Sequence, residues 1–313
     1  MQNNTQRKFI LTPIVEILQD TVNACNGISK GIETQSLGEY VLQTTFLKMT
    51  GAQEQKLKSI CWEMATNDYG YRYKYLNKNY GECSSYVDKN NIYKDMVEMI
   101  SKMEKGFTVA TMFDDVNITL KLGELIQQKV RETIQKQEKQ KGRKLTDEEK
   151  ERMTAGMTTF YNRKGLCGKE RSSFCRRVVF EEVQEKIDKI VGNSLVTQWE
   201  EHSYLNYMEK WNTLSKWSFA IDGMLLSKEL QDFYKSVVYD HRNKCAHNLV
   251  SVHKNLPTLK TMEEKDYVYD NYYFRFSVLV LLDDIFVRLY MKYLEGLTKR
   301  VENIFNVGFS IHI

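Results

Sequence analysis

The chain has 313 residues, 42% hydrophobic and 12% aromatic, which is ample for a buried core and long enough for two domains or one elaborated domain. Its 45 Lys and Arg nearly balance 41 Asp and Glu, a net charge of +4. Only Pro13 and Pro257 interrupt it, which favours long helices over a turn-rich β fold. The six cysteines, at 25, 61, 83, 167, 175 and 245, form no C-x-x-C pair and no ligand-like spacing with the five histidines. Neither a zinc site nor a disulfide framework is indicated, and reduced thiols are expected. Met1 to Lys8 is polar and lacks a signal-peptide core, and the longest apolar run, Ser277 to Val287, is broken by Asp283 and Asp284. A soluble, cytoplasmic protein with no membrane contact is the expectation.

In chain order, Ile10 to Ala24 reads as a short helix, and Leu37 to Ala65 as a longer one with Tyr40, Phe46, Leu47, Leu57, Ile60, Cys61 and Met64 on its apolar face. Glu54 lies near the edge of that face, where an ion pair with a lysine is the plain expectation. From Asn67 to Asp88, Tyr69, Tyr71, Tyr73, Tyr75 and Tyr80 alternate with Asn, Gly, Lys and Arg. Such a stretch is either a loop packed on its own rings or a set of aromatics for stacking bases. A helix over Ile92 to Met103 follows, and Phe107 to Met112 has some strand character.

The segment from Arg131 to Arg177 holds 14 Lys and Arg against 7 Asp and Glu, so a net of +7 is concentrated there and the remainder carries −3. Thr146-Asp147-Glu148-Glu149 is a capping box that starts a helix. Beyond it Arg163, Lys164, Lys169 and Arg171, with Gly165 and Gly168 among them, make a phosphate-facing loop, continued by Arg176 and Arg177 on the next helix. The alternative is a solvated helical pair whose charges only keep it soluble. Trp199, Tyr204, Tyr207, Trp211 and Trp217 then have the spacing of a buried helix face.

Leu230, Phe233, Tyr234, Val237 and Val238 define an amphipathic helix. At about 100° per residue from Leu230, the apolar stripe is centred near about 15° and runs on through His241 and Cys245. Arg242 falls near about 120° and His247 near about 260° on the same wheel, with Asn243 and Ala246 between them. Continuous α geometry therefore turns Arg242 and His247 away from the core and assigns His241 to it. After a loop from Asn248 to Lys265, a last helix over about Lys265 to Phe305 is apolar nearly all round between Phe274 and Phe286 and is expected to run through the middle of a bundle. Asp284 and Arg288 are spaced to pair along it.

Arg242-Asn243-Lys244-Cys245-Ala246-His247 resembles the Arg-x4-His motif of the HEPN superfamily, an all-α group rich in metal-independent endoribonucleases. The resemblance covers about ten residues closely and the surrounding helix loosely. It implies an all-α, elaborated helical bundle with a HEPN-like core: N-terminal helices in 1–105, a basic, mostly helical insertion in 106–193, and C-terminal helices carrying the motif in 194–313. It also implies that a polar or acidic side chain on a neighbouring helix touches the motif, a role open to Glu54. Further implications are a homodimer with a composite site, a toxin or phage-defence setting, and a neutralising or activating partner. A non-catalytic HEPN-like module that dimerises or binds RNA or a nucleotide is the alternative.

RNA brings its own nucleophile, the 2′-OH, so cleavage needs a proton acceptor, a proton donor and positive charge on the phosphate. Histidine titrates near neutrality and suits His247 to proton transfer. A guanidinium keeps its charge and fits two phosphate oxygens, which suits Arg242, with Asn243 orienting one of the two. No metal or cofactor is needed, and DNA, which lacks the 2′-OH, should not be cut.

Overall fold

The computed structural model describes residues 2–26, 28, 34–77, 83–113, 116–164, 169–192, 194, 196–197, 201–216, 219–221, 223–246 and 271–309, with the backbone alone described at 2–4, 35–36, 111, 116–119, 125, 161–164, 169–171, 202, 212, 215–216, 221 and 301–309. The fold is all-α, with one two-stranded hairpin. It divides into a larger unit, 1–109 with 179–313, and a smaller one, 110–178. The smaller unit is shorter than the 106–193 expected for the basic insertion. The reason is α8 (Lys169–Val191), whose second half is apolar: Val179, Phe180, Val183, Ile187 and Val191 are fully buried and belong to the larger unit.

The single helix expected over Ile10 to Ala24 is two, α1 (Gln2–Leu11) and α2 (Val15–Cys25). The break falls at Pro13, whose ring and missing N–H end the first helix. The freed N–H of Ile14 is not wasted, because it donates to the Asp283 carboxylate at 2.9 Å. A long α3 (Gln35–Asn67) follows, then α4 (Tyr69–Asn77), where a loop was expected. Helical spacing sorts the alternating tyrosines into two pairs. Tyr71 and Tyr75 stack on each other, with Tyr71 buried, while Tyr69 and Tyr73 are exposed; Tyr80 lies outside the described residues.

Ser85 caps α5 (Tyr86–Met103) by accepting the Asp88 N–H at 3.1 Å. Val109–Phe113 is a turn of 3-10 helix, not a strand. In the smaller unit α6 (Val116–Lys141) packs with α7 (Asp147–Lys164). The capping box is formed as expected: the Glu149 N–H donates to Thr146 Oγ1 at 3.3 Å and the Thr146 N–H to Glu149 Oε2 at 3.1 Å.

Back in the larger unit, α9 (Glu201–Lys210) buries Tyr204 and Tyr207, and Trp211 just after it is fully buried, its indole donating to the Phe180 carbonyl at 2.9 Å. Trp199 and Trp217 lie outside the described residues. The hairpin of β1 (Phe219–Ile221) and β2 (Met224–Leu226) turns at Gly223, φ 81°, a conformation that glycine adopts without strain. It leads into α10 (Lys228–Tyr234), a π turn over Lys235–Tyr239, and α11 (Asp240–Ala246).

The last helix, α12 (Tyr272–Phe309), is buried at every position from Tyr272 to Asp283 and packs on α3 and α5. Its charged residues are matched by neighbours. Asp283, 3% exposed, takes the Lys56 ammonium, 4% exposed, at 2.7 Å. Asp284 pairs with Lys186 at 2.5 Å and Arg288 with Glu182 at 3.5 Å, both on α8, so the pairs run across the bundle rather than only along the helix. No helix among the described residues is long and apolar enough to cross a membrane.

Removing one partner of a buried ion pair leaves the other charged and desolvated, at a cost of about 3–5 kcal/mol. Lys56→Met should therefore lower the stability of the larger unit by that much in urea denaturation, and Lys56→Arg by far less. A loss under about 1 kcal/mol for Lys56→Met would mean that the Lys56–Asp283 pair is not a fastening of this core.

Candidate functional site

The motif helix does not present the face that continuous α geometry assigns to it. Between Lys235 and Tyr239 the backbone makes a π turn, in which the Asp240 N–H reaches back five residues to the Lys235 carbonyl. One extra residue is spent on that turn, so everything after it is set back by about 100°. Arg242 moves from about 120° on the wheel to about 20°, close to the centre of the apolar stripe. The outward orientation inferred for Arg242 is thus corrected: the residue leans onto α3. The π turn is gripped from α12, where buried Arg275 donates from Nε to the Val237 carbonyl at 3.0 Å and lies over the Tyr272 ring at 4.8 Å.

Glu54 meets Arg242 there. The Nη2 of Arg242 lies 3.3 Å from each of the two Glu54 carboxylate oxygens, and Nη1 donates to Asn243 Oδ1 at 3.2 Å. Glu54 is 13% exposed at its side chain and Arg242 27%. These distances exceed the roughly 2.7–2.9 Å of a tight charge-assisted bond, so the guanidinium is oriented without being saturated. Five N–H donors are available to it, and the two bonds leave others for a ligand on its open side. Glu54, Arg242, Tyr239, Tyr234, Ser84 and Lys89 line one narrow cleft. Of the residues singled out from sequence, the structure therefore brings together Arg242, Asn243 and Glu54.

His247 lies outside the described residues. Arg163 and Lys164 close α7, and Lys169 and Arg171 open α8, so these four expected loop residues are helical, and Gly165 and Gly168 lie outside the described residues. Arg176 is half-buried and Arg177 is exposed, with its guanidinium over the Phe174 ring at 5.4 Å.

His241 belongs to the packing. Its ring lies between Phe46 and Tyr272, with centroids at 5.3 and 5.4 Å, and its Nε2 sits 3.2 Å from the Tyr272 hydroxyl and 3.4 Å from Cys245 Sγ. Burial, with the charges of Arg275 and Lys244 adding to it, pushes its pKa down to about 3. A neutral imidazole at every working pH is a poor proton donor.

Lys89 is the residue that sequence reading passed over. It is 2% exposed, and its Nζ donates to the Cys83 carbonyl at 2.6 Å. A signal was present: Lys89 precedes Ile92, Tyr93 and Met96 by three, four and seven residues, so it occupies the apolar stripe of α5. Among the described residues, no group of three or more His, Cys, Asp or Glu is placed to hold a metal ion.

No family model matches this chain, and neither a curated protein nor a solved structure does. The geometry of the cleft is what remains for a functional reading.

The low His241 pKa has a consequence for stability. A histidine held neutral in the fold but free to protonate when unfolded stabilises fully above its ordinary pKa of 6.5, and that contribution is lost as pH falls toward 3. The urea midpoint of the native protein should fall between pH 7 and pH 5, before most carboxylates titrate, and His241→Gln should flatten that fall. An equal fall in both proteins would remove His241 as its source.

Proposed function

We propose that this protein is a metal-independent endoribonuclease of the HEPN type, which cleaves RNA by attack of the 2′-OH on the adjacent phosphate. The observation that supports the reading best is the setting of Arg242: a partly exposed guanidinium, oriented by Glu54 and Asn243, at the first position of the Arg-x4-His motif. Orienting contacts of this kind lower the cost of bringing charge to a transition state, because the group need not reorganise during the reaction.

In this scheme Arg242 binds the scissile phosphate through the edge turned away from Glu54. Its charge grows in value as the phosphorane gathers negative charge. His247 takes the proton from the 2′-OH or gives one to the leaving 5′ oxygen, and Asn243 holds Arg242 through Nη1. Glu54 keeps the guanidinium from swinging into solvent. The cationic residues Arg163, Lys164, Lys169, Arg171, Arg176 and Arg177 are proposed to track the RNA backbone. A toxin or phage-defence role, with a neutralising or activating partner, accords with the family resemblance. A second reading, a non-catalytic binding or dimerisation module, draws support from the neutralisation of Arg242 by Glu54, which a purely structural arginine would also show.

A single Arg-x4-His motif per chain leaves the second one to another copy. Two motif helices laid across a two-fold axis would bring each Arg242 near the other chain's His247, with exposed Ala246 at the contact. Contact through so small a side chain is sensitive to bulk.

His247→Ala should abolish cleavage of total cellular RNA while leaving the melting curve unchanged. Native protein should cut equally well in excess chelator and leave 2′,3′-cyclic phosphate ends; a requirement for added magnesium, or cleavage that survives His247→Ala, excludes the scheme. Ala246→Trp should yield a folded, largely monomeric and inactive protein by light scattering and cleavage assay. A native protein that is fully active as a monomer removes the composite site.

A further inference from the structure

Lys89 is a buried cation that the proposed chemistry leaves unused. It stands on α5 facing the cleft that also holds Glu54 and Arg242, and its ammonium is 2% exposed. The Nζ–Cys83 carbonyl bond at 2.6 Å satisfies one of its three donors and braces an unusual turn, since Cys83 has φ 59° without being glycine. A neutral donor would brace that carbonyl as well, and neutral groups are far cheaper to bury than an ammonium. The charge therefore calls for a reason of its own.

The charges around it supply one. Glu54 reaches the cleft from α3, Arg242 from α11, Asp88 is its neighbour on α5, and the Cys83 thiol lies in the turn. Two cations, Lys89 and Arg242, thus share the lining of one cleft with the Glu54 carboxylate. We infer that Lys89 is a positioning residue for Arg242: its ammonium holds the Glu54 carboxylate inside the cleft they share, so that Glu54 orients Arg242 without cancelling the positive charge offered to an anion. The inference rests on the reading of Arg242 as the phosphate-binding group.

The arrangement has a pH limit. Burial lowers the Lys89 pKa to about 8; Arg242 pushes the same way, while Glu54, the Cys83 thiol and Asp88 oppose it. As pH rises through that value Lys89 loses its charge, Glu54 loses one of the two cations that share its cleft, and the hold on Arg242 weakens.

The test uses the full chain labelled with 15N and 13C in arginine, with carbon-detected spectra of the guanidinium groups and Arg242→Lys to assign the Arg242 signals. At pH 7 the two Arg242 Nη nitrogens should be resolved, the mark of restricted rotation. They should merge in Glu54→Gln and in Lys89→Gln, remain resolved in Lys89→Arg, and merge in the native protein between pH 7 and pH 9. Lys89→Gln retains a donor for the Cys83 carbonyl, so a residue that only braces the turn predicts resolved signals in that variant. Resolved signals in Lys89→Gln, or native signals that do not change across pH 8, overturn the inference. The native titration needs no variant and so does not depend on one folding.

Cleavage assays separate the two claims. In a protein that cuts RNA, Lys89→Gln should lower kcat on the order of 10- to 100-fold with KM little changed, and Lys89→Arg should move the alkaline limb of the pH profile upward. An unaltered kcat and pH profile in Lys89→Gln overturn the inference while leaving the ribonuclease reading intact. Absence of any RNA cleavage by the native protein, with Arg242 signals that still follow Lys89, rejects the ribonuclease reading and upholds the positioning role.

Discussion

Much of the larger unit hangs on one buried ion pair. Asp283 ends a stretch of α12 that is buried at every position from Tyr272, and a carboxylate there is tolerable only with partners on every side. Lys56 supplies the charge and Ile14 a backbone N–H, so α3, α12 and the break between α1 and α2 meet at a single side chain. One turn away Gln53 donates to the Leu279 carbonyl at 3.2 Å and repeats the α3–α12 attachment. With Gln53 and Lys56 bound to α12, the rotation of α3 about its own axis is set. Glu54, about 100° further round than Gln53, is thereby delivered to the cleft. The proposed site inherits its alignment from a contact that is no part of it.

The electrostatics of the cleft follow from how few carboxylates it contains. Among the described residues that line it, Glu54 is the one carboxylate against Lys89 and Arg242, so the lining keeps a net positive charge. In a narrow cleft charge acts more strongly than at an open surface.

Much of the architecture was legible in the sequence, for local reasons. The apolar runs of α3 and α12, the capping box at Thr146 and the buried aromatic face of α9 depend on residues near one another in the chain. The tyrosine run was misread because alternation in sequence resembles an extended or looped segment, while helical packing sorts the same residues into an inner and an outer pair. Glu54 was found by its position at the edge of an apolar face, though its partner proved to be Arg242 and not a lysine. The direction of Arg242 was illegible because it depends on a π turn held by Arg275, 38 residues further along the chain. Nothing in Lys235 to Tyr239 itself announces that turn. Lys89 left a trace, a lone cation on an apolar stripe, that only the neighbouring carboxylate explains.

The π turn makes the alignment of the motif a matter of counting. Lys235–Tyr239 holds one residue more than an α turn would need, and the surplus is what points Arg242 at Glu54. Loss of any single residue from this stretch would let the helix run on regularly and swing α11 by about 100°, parting the two side chains although neither had changed. Replacement of one residue by another of similar shape would leave the phase of the helix untouched. In this segment the chain's length carries information that its chemistry does not, and a one-residue deletion there would act as a substitution of Arg242 itself.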